Sequence, residues 1–145
     1  MQATLLLWAA VAIGAPALKD RSKIDPDLIG EWVVVTITLN GTNLGIDSDQ
    51  PLRNAYASDG KLTTFIGDKP IALTRHFDTN KRALPATIDL IVDEKTERGI
   101  YKIEKDTLTL CSYSGPDDLR PTEFTAPAGS QRGLLVLKRV KTKKD

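Results

Sequence analysis

Residues Gly30–Leu39 read GEWVVVTITL and are followed directly by Asn40-Gly41. The run is rich in Val, Ile and Thr, whose branched side chains favour extended strands over helices. Asn-Gly favours a tight hairpin turn because both residues tolerate positive φ angles. The stretch therefore predicts a β-strand that ends in a tight turn.

Similar runs of β-branched and alternating apolar residues return downstream, most of them separated by short turns. They cover residues 61–66, 71–77, 87–92, 99–104, 107–113, 122–125 and 133–140. Residues 43–56 are the least clear stretch, and a short helical turn is one interpretation of them. About eight strands with tight turns predict an all-β, antiparallel protein, either a sandwich or an up-and-down barrel.

The composition limits the class of protein. The chain has 145 residues, 41% of them hydrophobic and 27% charged, which suits one globular domain. Lys and Arg total 20 against 19 Asp and Glu, so we expect no nucleic-acid partner, because phosphate binding needs a basic excess. His76 and Cys111 are single residues of their types, which excludes a disulfide framework and metal sites with several Cys or His ligands. We expect neither a metal nor a cofactor.

The N-terminus differs from the rest of the chain. Residues 1–18 carry no charged side chain, and their apolar core at 5–13 is shorter than the roughly 20 residues of a membrane-spanning helix. Its length suits the apolar region of a secretory signal peptide, and Ala15-Pro16-Ala17 supplies the small residues of a cleavage site. We predict a signal peptide at 1–17 and an extracytoplasmic location, periplasmic or secreted. A buried N-terminal helix is the alternative.

Polar residues around Pro26 predict a linker at 18–27, and the β domain follows at 28–141. Five basic residues lie among the last eight, at positions 138, 139, 141, 143 and 144. We interpret residues 142–145 as a solvated basic tail, and contact with an anionic surface is the alternative. We expect a monomer without a transmembrane span.

The first and last strands carry a pairing that resembles the lipocalin and calycin pattern. Gly30 and Trp32 form Gly-x-Trp near the start of the first strand, and Lys138-Arg139 ends the last one. In that pattern the Trp packs beneath a basic side chain of the final strand and closes one end of the barrel. The resemblance implies that Gly30, Trp32, Lys138 and Arg139 close this barrel, with a cation–π contact of Arg139 or Lys138 to the indole.

Five further blocks resemble, in order and spacing, a domain family of planctomycete bacteria. They are ATIDL at 86–90, GIYKI at 99–103, DTLTLC at 106–111, RPTEF at 120–124 and LLVLKR at 134–139. The resemblance extends over about residues 28–141. It implies a small secreted, lipocalin-like domain, an antiparallel up-and-down barrel of about eight strands, and no particular activity.

No catalytic constellation is recognisable, so we predict that the protein is not an enzyme. His76 lies in a predicted strand, where a surface position is expected and a general base is the alternative. We interpret Cys111 as a small buried hydrophobe, with a reactive thiol or an intermolecular disulfide as alternatives. Asp47-Ser48-Asp49 begins like a calcium loop, but Pro51 and Leu52 occupy positions of a ligand and the obligatory Gly.

The RPTEF segment contains the candidate binding residues. Arg120, Glu123 and Phe124 lie where a loop meets a predicted strand, with charges of alternating sign, and such a segment can form the rim of a binding site. The alternative is a turn ended by Pro121 and held by an Arg–Glu pair.

Three functions remain open. The first is an exported barrel that binds a small apolar ligand in a cavity open at one end. The second is a structural or protein-interaction module of the cell envelope, whose barrel is filled by its own side chains. The third is an enzyme. The expected partner is therefore a small apolar ligand or an envelope protein, and the volume of the cavity distinguishes the first two functions.

Overall fold

A computed structural model describes residues 24–141, and all regular structure in that range is β-strand. The strands are β1 Gly30–Leu39, β2 Thr42–Leu44, β3 Leu52–Tyr56, β4 Lys61–Ile66, β5 Lys69–Pro70, β6 Arg75–Asn80, β7 Ala86–Val92, β8 Lys95–Glu104, β9 Thr107–Tyr113 and β10 Arg132–Arg139. The predicted signal peptide at 1–17, residues 18–23 of the predicted linker and the basic tail at 142–145 lie outside the described residues.

The sheet closes on itself. Strands β1, β3, β4, β6, β7, β8, β9 and β10 pair antiparallel in this order, and β10 pairs with β1. The short strands β2 and β5 pair with β1 and β4 outside this path. The prediction of an all-β, antiparallel up-and-down barrel of about eight strands is confirmed, and of the two all-β architectures left open the protein adopts the barrel. Closure gives every barrel strand a partner on both edges, although β4 and β6 pair only through Lys61↔His76 and Leu62↔Arg75.

The alternating strand directions give the barrel two different ends. The chain enters at one end through residues 24–29, and the turns 57–60, 81–85 and 105–106 lie at that same end. The loops 45–51, 67–74, 93–94 and 114–131 lie at the opposite end. We call the first end the plugged end and the second the open end.

The hydrophobic core fills the plugged half of the barrel. Alternate residues of each strand point inward, so the register pairs Val34↔Leu137 and Tyr101↔Leu110 place their side chains on the inner face. Trp32, Phe77 and Leu108 are among the fully buried side chains there. The core cluster is Leu28, Trp32, Val34, Tyr56, Leu62, Phe77, Ile88, Tyr101, Leu108, Leu110 and Leu137. Each large aliphatic or aromatic side chain buried in this way contributes about 1.5–3 kcal/mol.

Three segments differ from the expectation. The strand predicted at residues 71–77 is wrong over 71–74, and β6 covers Arg75–Asn80 instead. Residues 43–56 form the rest of β2 and all of β3 and contain no helix. Their pattern is unclear because Asn54 of β3 is polar yet points inward and interrupts the apolar alternation. Residues 122–125 form no strand, so that prediction is wrong. The strand nearest to them, β9, already pairs with β8 and β10 on its two edges, so no partner is left for another strand there.

Candidate functional site

The plugged end is sealed by a turn at residues 25–28. The amide of Leu28 donates to the carbonyl of Asp25 at 3.0 Å, and the Leu28 side chain is fully buried. Asp25 is also buried, and its carboxylate accepts a hydrogen bond from the hydroxyl of Tyr101 at 2.6 Å. The last residues of the predicted linker are therefore packed against the barrel as part of the domain.

Trp32 and Arg139 hold this turn in place. The indole Nε1 donates to the carbonyl of Leu28 at 2.9 Å. The guanidinium of Arg139 covers the indole, and its Nη2 donates to the carbonyl of Asp27 at 2.6 Å. Of the two basic residues considered for this position, Arg139 occupies it, whereas Lys138 is exposed on the outer face.

Gly30 is required by this arrangement. Its φ angle is +131°, which residues with a side chain rarely adopt. A Cβ at this position lies 3.2 Å from Nη1 of Arg139, closer than an ordinary contact. A larger residue therefore strains the backbone and crowds the guanidinium that covers Trp32.

The open end contains a cavity of about 900 Å³. Its apolar lining includes Leu90 and Val92, which point into the barrel from β7, and Leu73 from the loop before β6. Charged side chains share the inner lining, with Arg75 at the start of β6 and Glu97 on β8. The complete lining is Leu73, Arg75, Leu90, Val92, Asp93, Lys95, Thr96, Glu97, Tyr113, Ser114, Gly115, Pro116 and Asp118.

Arg75 lies where the barrel wall divides. Strands β4 and β6 pair only through Lys61↔His76 and Leu62↔Arg75, and beyond this point β4 pairs with β5 instead. The guanidinium of Arg75 reaches across the division, and its Nη2 donates to the hydroxyl of Thr64. The Thr64 hydroxyl in turn donates to the side-chain carbonyl of Asn54 at 2.7 Å. A row of polar side chains thus crosses the inner face between the apolar core and the cavity.

The electrostatic state of Arg75 follows from its burial. Its Nε is buried and has no acceptor among residues 24–141, and the guanidinium forms no ion pair with a carboxylate in this range. Burial lowers the pKa of Arg75 from its ordinary value, while the nearby Tyr56 and Glu97 raise it by a smaller amount. Burial also raises the pKa of Tyr56 to about 12, so Tyr56 is a neutral hydrogen-bonding group at neutral pH.

The candidate rim residues lie on the outer wall of the barrel and do not line the cavity. Arg120 donates to the carbonyl of Gly99 at 2.9 Å and pairs with Asp89 at 2.9 Å, so the Arg–Glu pair does not form. Phe124 packs beside Lys102, whose Nζ lies 4.9 Å from the ring centre. Glu123 is exposed. The three residues belong to the loop 114–131, and the contacts of Arg120 and Phe124 fasten that loop to the outer wall.

Cys111 and His76 lie on the outer face of the barrel, apart from the cavity lining. Cys111 is fully buried beneath the loop 114–131, and its thiol donates to the carbonyl of Thr125 at 3.4 Å. Burial raises the pKa of the thiol, although Arg132 opposes this shift. His76 is exposed.

Sequence reasoning missed the polar residues of the inner face, namely Asn54, Thr64, Arg75 and Glu97. One signal was present, because Arg75 occupies the same face of its strand as Phe77 and interrupts an inward-facing alternation with a charge. Asn54 and Thr64 interrupt short alternations in the same way, but both are neutral and each is flanked by only one apolar residue on either side of its strand face.

The fold and its two ends define a closed up-and-down β-barrel that is plugged at one end and has a cavity at the other. Comparisons of the chain with protein-family models, with curated proteins and with solved structures found no match. In the described range, no group of three or more His, Cys, Asp or Glu side chains is arranged to hold a metal ion. The same residues contain no helix that is long and apolar enough to cross a membrane.

Proposed function

We propose that this protein is an exported β-barrel that binds a small apolar ligand in the cavity at its open end. The cavity of about 900 Å³ carries this proposal. Ligand sites commonly enclose about 300–1,000 Å³ and combine an apolar lining with a few polar groups. Leu73, Leu90 and Val92 supply the apolar lining here, and Arg75 supplies a polar group.

The contrast between the two halves of the barrel supports the proposal. Trp32 and Leu137 are fully buried in the core, whereas Ile37, Leu52 and Leu135, which point inward nearer the open end, are only partly buried. Side chains that point into a barrel and still contact solvent indicate unfilled interior space. A ligand with an apolar body removes this surface from water, which stabilises the complex.

Exposed apolar side chains concentrate around the same end. Nine large apolar side chains of residues 24–141 are exposed, and six of them belong to strand ends and loops at the open end. These six are Leu39, Leu44, Ile66, Ile71, Leu73 and Leu119. An apolar margin beside a cavity is typical of a ligand-binding groove.

Three further inferences belong to this proposal. Export is supported by the uncharged apolar start of the chain and by the small residues at 15–17. A relationship to lipocalin-like domains is supported by the contact between Trp32 and Arg139, the pairing that the resemblance implied. We propose a binding role without catalysis, since His76 and Cys111 are not placed in the cavity lining.

Native mass spectrometry of the protein purified from its source tests the proposal. A small molecule that stays bound in the gas phase and is released on unfolding is the expected result. Leu90→Asp places a charge in the apolar lining and should release that molecule, whereas Val35→Asp changes an exposed residue of β1 and should not. Ligand-free protein that also binds no apolar probe in vitro contradicts the proposal.

The alternative is a structural or interaction module of the cell envelope. The exposed leucines and isoleucines at the open end favour it, because such patches also mark protein-binding surfaces. Cross-linking in intact cells separates the two functions. A reproducible protein partner lost in Leu73→Ser, together with a barrel that carries no small molecule, supports the module.

A further inference from the structure

Arg75 has unused hydrogen-bonding capacity at the cavity. Its Nη2 donates to Thr64, but its Nε is buried without an acceptor among the described residues. Because the Nε is enclosed while Arg75 as a whole is only partly buried and lines the cavity, the donors that a ligand can reach are those of the Nη groups. The same guanidinium forms no ion pair with a carboxylate within residues 24–141, and Glu97 acts on its charge without direct contact.

The residues behind Arg75 fix its position. Thr64 and Asn54 are buried, and their side chains are joined by the 2.7 Å hydrogen bond. The Asn54 amide also donates to the hydroxyl of Tyr56 at 3.4 Å, which ties the row to the core. The guanidinium is thus held by neutral side chains on its inner side. Neutral partners orient the group without cancelling its charge.

The other charged side chains of the cavity also affect which ligands it can bind. Glu97 points into the barrel opposite Leu90, and its negative charge acts on Arg75 without forming an ion pair. Lys95 and Asp93 lie at the exposed hairpin between β7 and β8 and are largely screened by water. Asp118 is paired with Arg98 at 3.0 Å. Among the described residues, Arg75 and Glu97 are therefore both partly buried without an ion pair. Arg75 is the one held in position, by its hydrogen bond to Thr64.

We propose that the cavity binds an amphipathic carboxylate, an alkyl chain with a terminal acid group that pairs with Arg75. The carboxylate accepts hydrogen bonds from the Nη groups of the guanidinium, and the chain packs against Leu73, Leu90 and Val92. A planar carboxylate matches the fork of donors on a guanidinium better than an alcohol does. This inference rests on the proposed function, because it specifies the head group of the ligand.

Calorimetric titration of the full mature chain with dodecanoate, dodecanol and dodecylamine tests the head group. We expect dodecanoate to bind about tenfold or more tightly than the other two, because hydrogen bonds to charged groups are the stronger ones. Arg75→Gln should weaken dodecanoate about tenfold and change dodecanol by less than about twofold. Arg53→Gln is the matched control, since Arg53 lies on the outer face and pairs with Glu31 at 2.7 Å.

Two further variants keep the inference open to refutation if Arg75→Gln does not fold. Arg75→Lys keeps the charge but removes the planar set of Nη donors, and we expect an intermediate loss of dodecanoate affinity. Glu97→Gln removes the like charge of the cavity, so dodecanoate should bind about two- to tenfold more tightly. Thermal unfolding of each variant establishes that the barrel is intact.

The outcomes separate the inference from the function on which it rests. Equal affinity for the acid, the alcohol and the amine overturns the carboxylate inference and leaves an apolar-ligand barrel. Preference for dodecylamine points to Glu97 as the recognising charge and also overturns it. Failure of all three probes to bind wild-type protein, with no molecule co-purifying, overturns the proposed function itself.

Discussion

The guanidinium of Arg139 lies 4.1 Å from the centre of the Trp32 ring system, and the two residues are register partners on β10 and β1. They connect the last strand of the barrel to the first. The same guanidinium donates to the carbonyls of Asp27 and Ile29, so it also anchors the N-terminal turn. One side chain therefore joins the closure of the sheet to the sealing of its plugged end.

Replacing the two residues separately and together should reveal this coupling. Trp32→Ala removes a fully buried aromatic side chain and should lower the free energy of unfolding by about 3–5 kcal/mol. Arg139→Ala should cost about 1–2 kcal/mol through lost stacking and hydrogen bonds. The double mutant should lose less than the sum, because both changes remove one shared contact.

Urea unfolding of the two single variants and the double variant measures these three values. Lys138→Ala is the matched control, because Lys138 is the neighbouring base and is exposed. We expect it to change stability by less than about 0.5 kcal/mol, as surface substitutions do. Additive losses in the double mutant would show that the stacking seen between Trp32 and Arg139 contributes no coupling energy.

Gly30→Ala should destabilise the barrel although it adds only one methyl group. The φ angle of +131° and the 3.2 Å approach to Arg139 both oppose a side chain, and we expect a loss of about 1–3 kcal/mol. Gly45→Ala is the control, because nothing lies within 4 Å of a Cβ built there. Thermal unfolding should show a lower melting temperature for Gly30→Ala than for Gly45→Ala. Equal melting temperatures of the two variants would contradict the role given to Gly30.

Stability should fall at alkaline pH because of two buried tyrosines. Burial raises the pKa of Tyr56 to about 12, and burial together with the Asp25 carboxylate raises the pKa of Tyr101. An unfolded tyrosine has a pKa of about 10, so the folded state holds both protons more tightly. This stabilisation is complete below about pH 10 and is lost above it, by up to about 1.4 kcal/mol per pH unit for each group.

Urea unfolding from about pH 8 to about pH 11 measures that slope. Tyr56→Phe and Tyr101→Phe each remove one titrating group, so each should make the alkaline slope shallower than that of the wild type. Near pH 8 both tyrosines are protonated, so the difference in unfolding free energy between each variant and the wild type reports only the lost hydrogen bond. Parallel slopes in all three proteins would mean that these tyrosines titrate normally.

Cys111 should react slowly with thiol reagents in the folded protein. It is fully buried, and its raised pKa keeps the thiol protonated, whereas the thiolate is the reactive form. Labelling with a chromogenic disulfide reagent should be slow in buffer and fast in denaturant. Phe124→Ala, which loosens the loop over this face, should accelerate labelling, and rapid stoichiometric reaction of native wild type would contradict the burial argument.

The mature protein should begin within a few residues of Ala17. We expect N-terminal sequencing of extracytoplasmic protein to start at Leu18, or at Pro16 if cleavage follows Ala15. Ala17→Asp places a charge at the cleavage position and should leave unprocessed precursor. An intact Met1 on cytoplasmic protein would defeat the prediction of export.

The local sequence of this protein determined which stretches are strands. The branched residues of β1 and the Asn-Gly that follows it, where φ is +49° and +88°, agree with the strand and the tight turn that the pattern predicts. The same local chemistry accounts for β4 and β9, because strand propensity and turn geometry depend on a few adjacent residues. The buried state of Cys111 agrees with the frequent burial of free cysteines.

Tertiary structure alone decided how these strands combine. Residues 122–125 have strand-forming composition but no free strand edge to pair with, whereas β3 forms despite its polar centre because β1 and β4 flank it. The selection of Arg139 over Lys138 follows from the register of β10 on β1, which turns successive side chains to opposite faces. The cavity beside Arg75 depends on how far side chains from several strands reach across the barrel. Contacts between residues far apart in the chain set register, closure and unfilled volume, and no local pattern encodes them.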